Sequence, residues 1–109
     1  MKKVFIIIPI IFSFLNAGSY SEGYKLYKKA KKELRHGHKA QAKTLFLQAR
    51  DKFILAASNN SSSALVKLAE IYCNGLGTTA NKAKAKEYLD KAKKLSGANP
   101  TDKCLQKLK

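Results

Sequence analysis

Apolar residues recur every three or four positions along most of the chain, a spacing that places them on one face of an α-helix. The pattern predicts four helices and a shorter fifth, over residues 21–36, 39–58, 64–74, 82–95 and 99–109. No segment alternates apolar and polar residues over a useful length, so strands are not expected. The sequence therefore predicts an all-α fold.

Residues that begin and end helices stand between these segments. Glycine tolerates the left-handed backbone that closes many helices, and it follows three of the predicted ones: Gly37, Gly75 with Gly77, and Gly97. Side chains that cap helix starts precede the last three: Ser62 or Ser63, then Asn81, then Asn99 followed by Pro100. The apolar stripe predicted for the first helix consists of Tyr24, Tyr27, Ala30 and Leu34.

The first seventeen residues differ from the rest of the chain. Lys2 and Lys3 precede an apolar stretch from Val4 to Leu15, and the small residue Ala17 follows, an order typical of a secretory signal peptide. An uncleaved anchor is the alternative, but the stretch is shorter than the roughly 20 residues that span a bilayer. A lipid anchor needs a cysteine at the cleavage site, where none stands. We expect cleavage near Ala17 and a periplasmic or secreted location.

The charge of the chain favours anionic partners. Its 22 basic and 7 acidic side chains give a net charge of +15, which falls to +13 when Lys2 and Lys3 are removed with the signal peptide. The basic residues are almost all lysine, whereas sites that bind phosphate or carboxylate by a two-pronged fork prefer arginine. Nucleic acid is not an expected partner, because export separates the protein from it.

The stretch from Ala64 to Ala92 carries the most informative motif. Alanine, leucine, tyrosine and glycine recur in it at a distinctive spacing: Ala64, Leu68, Ala69, Tyr72, Gly75, Gly77, Ala85, Tyr88 and Ala92. Small residues allow two helices to approach closely, and the glycines allow a tight turn between them. This skeleton resembles the Sel-one-like repeat, a variant of the tetratricopeptide repeat.

The resemblance implies antiparallel helical hairpins, about two units with a cap. The parts are a signal peptide, a tetratricopeptide-like hairpin, a Sel-one-like repeat and a capping helix, over residues 1–17, 18–60, 61–97 and 98–109. The first hairpin matches less well, and a generic amphipathic hairpin is its alternative. A cap is expected because repeats cannot bury their end faces alone.

Two cysteines, Cys73 and Cys104, form an even pair, which in an exported protein is usually oxidised to a disulfide. Their bond would tie the capping helix to the preceding repeat, and two unlinked buried thiols are the alternative. Cysteine-rich relatives of the repeat family have been associated with β-lactam binding. The chain has no Ser-x-x-Lys sequence to supply a nucleophile, so a β-lactamase-like hydrolase is the least favoured function.

No catalytic, metal or cofactor site is expected. His36 and His38 flank a glycine, and the distant cysteines do not complete the ligand spacing of a zinc site. The acidic side chains stand on lysine-rich helix faces, where local ion pairs are expected. Glu33, Glu70 and Glu87 form no evident acid–base pair.

These observations predict a protein-binding module rather than an enzyme, with an unidentified protein or acidic peptide as partner. The expected surface lies on the first helix, where Tyr20 stands among Lys25, Lys28 and Lys29. Aromatic residues beside cations suit an acidic peptide. The alternative is a structural role in the envelope, with lysines held against anionic lipid or polysaccharide.

Protein purified from the periplasm should have the mass of residues 18–109 less two hydrogen atoms, because cleavage follows Ala17 and the cysteines are oxidised. Intact mass spectrometry with and without reductant and alkylation measures both events. A full-length mass with two reactive thiols would contradict export and remove the basis for a periplasmic partner.

Overall fold

The computed structural model describes the backbone of residues 2–108 and the side chains of residues 18–108. Within these limits the chain forms five helices and no strand: α1 (Lys2–Arg35), α2 (Lys39–Ser58), α3 (Ser62–Asn74), α4 (Lys82–Ser96) and α5 (Lys103–Gln106). The predicted all-α fold is confirmed. The predicted signal peptide, residues 1–17, lies outside the residues whose side chains are described. In the described part of the chain, no helix is both long and apolar enough to cross a membrane.

The first helix begins well before the predicted segment, residues 21–36, and Gly18 and Gly23 lie inside it without interrupting it. Gly23 lies within α1 where α1 packs on α2. A Cβ atom at this position would lie 2.9 Å from the ring of Phe53. The missing side chain therefore allows close helix packing, which offsets the low helix propensity of glycine.

Several helix ends lie where the sequence predicts them. Gly75 and Gly97 adopt φ angles of 66° and 65° and close α3 and α4 in the left-handed conformation. The side chain of Asn81 accepts a hydrogen bond of 3.0 Å from the Lys84 amide and caps α4. These short polar and glycine positions are readable from sequence because their effect is local.

The predicted start of α3, residue 64, is two residues late, and its predicted cap is wrong by one or two residues. Ser61, and not Ser62 or Ser63, has the extended backbone of a capping residue. Its hydroxyl accepts a hydrogen bond of 3.2 Å from the Ala64 amide. In a run of three serines the local chemistry is the same at each position, so packing of α3 decides which serine caps.

The predicted start of α5 is also wrong, because Asp102 rather than Asn99 caps it. The Asp102 carboxylate accepts a hydrogen bond of 3.2 Å from the Leu105 amide. It also accepts one of 3.2 Å from the side-chain amide of Asn74, at the end of α3. A carboxylate near a helix start is stabilising, and here it also fixes α5 against α3.

The core consists of two apolar clusters, and helix pairs α1–α2 and α3–α4 meet through α2 and α3. The first cluster is rich in aromatic and branched side chains: Tyr27, Phe46, Phe53, Leu68 and Ile71. The second joins α3, α4 and α5: Ala69, Tyr72, Cys73, Ala85, Leu89 and Leu105. The stripe predicted for the first helix is half correct, since Tyr24 and Leu34 are 37% and 43% exposed.

The short helix α5 closes the second cluster. Leu105 is fully buried in it, and Cys104 bonds to Cys73 of α3, with Cα atoms 6.0 Å apart. The predicted pairing of the two cysteines is therefore present. In a chain of this size a crosslink between a terminal segment and the core contributes a large share of stability.

Gly77→Ala should lower the free energy of unfolding by roughly 2–4 kcal/mol, through left-handed strain and crowding. Gly77 has φ of 73°, and a Cβ there would lie 2.8 Å from that of Phe46 and 3.0 Å from the Lys43 carbonyl oxygen. Gly37→Ala is the matched control, since Gly37 has φ of 80° with no atom within 4 Å of its Cβ position. Urea denaturation measures both.

Gly37→Ala should lower the free energy of unfolding by only roughly 1–2 kcal/mol, because it adds left-handed backbone strain without crowding. Equal losses for Gly37→Ala and Gly77→Ala would contradict close packing of the glycine turn on α2.

Candidate functional site

Three tyrosines of α1 and lysines of α1 and α3 form one group of contacting side chains, in which Tyr27 is buried while Tyr20 and Tyr24 are partly exposed. Tyr20, Tyr24 and Tyr27 stand four and three residues apart, which aligns them on one side of the helix. We define the tyrosine–lysine face by these tyrosines and the lysines that contact their rings: Tyr20, Tyr24, Tyr27, Lys28, Lys31 and Lys67.

Lysine ammonium groups lie over the tyrosine rings of this face. Lys28 lies 4.7 Å from the centre of the Tyr24 ring, and Lys31 lies 5.0 Å from that of Tyr27. Lys67 reaches both rings from α3, at 5.5 and 5.0 Å. These distances are within the range of cation–π attraction, so the rings hold the cations close to the surface.

A buried carboxylate holds the face together from below. Glu70 is 8% exposed and accepts a hydrogen bond of 2.7 Å from the hydroxyl of Tyr27. The Lys67 ammonium donates to the same carboxylate at 3.3 Å. The Lys67–Glu70 contact agrees with the expected local ion pairs, whereas the bond from Tyr27 was not predicted.

The sequence contains a sign that Glu70 is buried. Glu70 interrupts an otherwise apolar run, Leu68 to Tyr72. A charged side chain buried among apolar residues requires a donor. The identity of that donor depends on how α1 packs on α3, since Tyr27 is 43 residues away.

The hydroxyls of Tyr20 and Tyr27 stay protonated at neutral pH. Burial, and then the hydrogen bond to Glu70, raise the pKa of Tyr27 well above the 10.0 of a free tyrosine. Burial likewise raises the pKa of Tyr20. The face therefore combines the neutral hydroxyls of Tyr20 and Tyr27, the latter donated to Glu70, with three lysines, of which Lys67 is paired with Glu70.

Two of the four predicted surface residues belong to this face. Tyr20 is half-buried and stacks on Tyr24, with ring centres 5.9 Å apart, and Lys28 covers Tyr24. Lys25 and Lys29 are exposed on another side of α1, and Lys29 lines a separate depression between α1 and α2. Residues one and five positions after Tyr24 cannot share its side of a helix.

The residues of the repeat motif lie mainly in the core and the turns. Six of them are buried: Ala64, Leu68, Ala69, Tyr72, Ala85 and Ala92. Gly75 and Gly77 both have positive φ in the turn after α3. Tyr88 is half-buried and stacks on Tyr72, with ring centres 5.8 Å apart. These residues therefore have packing roles.

His38 forms a hydrogen bond with a carboxylate five residues before it. The Nδ1 atom of His38 lies 2.6 Å from the carboxylate of Glu33, and this hydrogen bond lowers the pKa of Glu33. Among the described residues, no group of three or more metal-ligating side chains comes together.

Compared with protein-family models, with curated proteins and with solved structures, this chain matches none of them. Membership of the Sel-one-like repeat family therefore stays a prediction.

Tyr27→Phe should lower the free energy of unfolding by about 1–3 kcal/mol at neutral pH, because the buried Glu70 carboxylate loses a donor. Tyr24→Phe is the matched control. Its hydroxyl has no hydrogen-bond partner among the described residues, and the side chain is 37% exposed, so little change is expected. Urea denaturation of both variants measures the difference, and equal stability of the two would contradict the role of Tyr27.

The difference in free energy of unfolding between wild type and Tyr27→Phe should become smaller as the pH rises above about 10. The pKa of Tyr27 is raised in the folded state, so above the ordinary pKa of 10.0 the unfolded tyrosine ionises first and unfolding is favoured. Phenylalanine at this position has no proton to lose. A stability difference that grows with pH would contradict a raised pKa of Tyr27 in the folded protein.

Proposed function

We propose that this protein is an exported helical-repeat module whose tyrosine–lysine face binds an acidic segment of a partner protein. The observation that carries the proposal is the set of lysine ammonium groups positioned over two tyrosine rings, the partly exposed ring of Tyr24 and the buried ring of Tyr27. In this proposal the protein acts as an adaptor and not as an enzyme.

The packing of the helices supports a repeat of the Sel-one-like type. Ala69, Ala85 and Ala92 are fully buried, as expected where two helices of a repeat approach closely. The turn between α3 and α4 contains Gly75 and Gly77 in left-handed conformations. Helix α5 covers the second cluster as a cap would, and repeats need such a cap at an exposed end.

The chemistry of the face favours an acidic segment. Lys28 and Lys31 are exposed and have no carboxylate partner among the described residues. Tyr24, which is 37% exposed, lies beside them. Carboxylates of a bound segment would pair with the ammonium groups while its backbone packs on the rings, as at interfaces rich in tyrosine.

A second candidate is attachment to an anionic envelope surface. Lys25 and Lys29 are exposed on another side of α1 and are not part of the face. A protein attached by its overall charge would use these lysines as much as those of the face, and its binding would weaken strongly with salt.

Two charge-matched double variants separate these candidates. Lys28→Gln with Lys31→Gln removes two charges from the face, and Lys25→Gln with Lys29→Gln removes two charges elsewhere on α1. Fluorescence anisotropy with labelled oligoglutamate should show the affinity of the face variant lowered by roughly two- to thirtyfold, since each of the two lost ion pairs costs about 0.2–1 kcal/mol. The control variant should lose much less affinity.

Equal losses in the two variants would contradict a specific face. Absence of oligoglutamate binding by the wild type would also contradict the proposal. If the wild type instead binds phosphatidylglycerol vesicles and both variants weaken equally there, the envelope-surface candidate replaces it.

A further inference from the structure

A lysine ammonium group lies directly beside the disulfide that ties α5 to α3. The Nζ atom of Lys82 is 3.0 Å from the Sγ atom of Cys104 and 3.7 Å from that of Cys73. The same ammonium group donates a hydrogen bond of 3.2 Å to the backbone carbonyl oxygen of Cys73. It therefore contacts both sulfur atoms and is held there by a backbone acceptor.

The position of Lys82 is unfavourable for its own helix. It is the first residue of α4, where the positive end of the helix dipole repels a cation. None of the ion pairs among the described residues includes it. Its side chain instead reaches back to the last turn of α3, so the disulfide has a cation beside it that no carboxylate neutralises.

The two cysteines of the disulfide differ in exposure. Cys104 is half-buried, whereas Cys73 is only 2% exposed and packs in the second cluster. In thiol–disulfide exchange, a thiolate attacks one sulfur atom and the other sulfur atom leaves as a thiolate. Attack is therefore expected at Cys104, with Cys73 as the leaving group.

We propose that this disulfide is a thiol-exchange site, at which a dithiol reductant opens the Cys73–Cys104 bond with the help of Lys82. A thiolate of the dithiol forms a bond to the Cys104 sulfur while the bond to Cys73 breaks, and its electron pair stays on Cys73. The second thiol of the dithiol then loses its proton and attacks the first dithiol sulfur. Cys104 leaves as a thiolate, and the dithiol, which has supplied both electrons, becomes a cyclic disulfide.

The role of Lys82 is to stabilise the thiolates that form in these two steps. A cation beside a sulfur atom favours its thiolate form, and a thiolate that forms more readily is a better leaving group. Cys73 would otherwise become a buried charge among apolar side chains, which is costly. The ammonium group of Lys82 offsets this cost because it already lies beside both sulfur atoms.

Reduction at this site would release α5 from its covalent attachment. The helix has four residues, too few to be stable in isolation. The burial of Leu105 and the hydrogen bond from Asn74 to Asp102 would then hold it against α3. The exchange site therefore controls how firmly α5 covers the second cluster. This inference is independent of the proposed function, because neither Lys82 nor the cysteines belong to the tyrosine–lysine face.

Lys82→Gln tests the site, because glutamine keeps a hydrogen-bond donor but removes the charge. The folded, oxidised protein is treated with dithiothreitol, free thiols are trapped with N-ethylmaleimide, and intact mass gives the reduced fraction over time. The variant should be reduced roughly three- to tenfold more slowly than wild type, because the leaving thiolates lose their cation.

Lys91→Gln is the matched control. Lys91 is an exposed residue later in α4, so the two variants have the same net charge and the same substitution in the same helix. Lys91→Gln should change the reduction rate by less than about twofold, since a distant exposed charge is screened by salt. Equal rates for the two variants would overturn the role of Lys82.

The direction of the effect separates this role from a purely structural one. If Lys82 only fastens the end of α3, its loss loosens the disulfide, and reduction becomes faster. Faster reduction of Lys82→Gln than of wild type would therefore overturn the proposal. Peptide mapping of wild type, quenched with acid after brief treatment with glutathione, should place the glutathione adduct on Cys104. An adduct on Cys73, or none, would overturn the proposed order of attack.

Discussion

Glu70 connects the helix pairs α1–α2 and α3–α4 by hydrogen bonds on which the tyrosine–lysine face depends. Its carboxylate is almost fully buried, and it receives the hydroxyl of Tyr27 from α1 and the ammonium of Lys67 from α3. A buried carboxylate without donors costs several kcal/mol, so the positions of α1 and α3 are coupled. The same two donors form the centre of the tyrosine–lysine face, so the geometry of that face depends on the packing beneath it.

The small core is stabilised at its ends. Its interior relies on close helix contacts made by alanines, and a Cβ atom at Gly77 would collide with α2. The last helix has only four residues, yet it places Leu105 in the second cluster and is fixed by Asp102 and the Cys73–Cys104 bond. Such supports matter because a domain of this size buries too little apolar area to tolerate an open end.

The arrangement of the lysines matters more than their number for the proposed function. Most lysines are exposed and give the whole surface a positive charge, which attracts anions without selecting among them. Lysines held over tyrosine rings have fixed positions, and Lys67 also has a fixed partner. Lysine lacks the fork of arginine, so specificity has to come from this placement and from nearby hydroxyl groups.

The helical fold and most helix ends follow from local sequence patterns. Apolar periodicity and short capping residues such as Asn81 and Gly97 act within a few residues, so they can be read without a structure. The sequence also indicated the cysteine pair, since only two cysteines exist. Four features became visible only in the packed helices. They are the burial of Tyr27, the lysines that contact the tyrosine rings, the choice of Ser61 and Asp102 as caps, and the hydrogen bond from Tyr27 to Glu70. Each of these depends on contacts between residues distant in sequence, and those contacts are set by how whole helices pack.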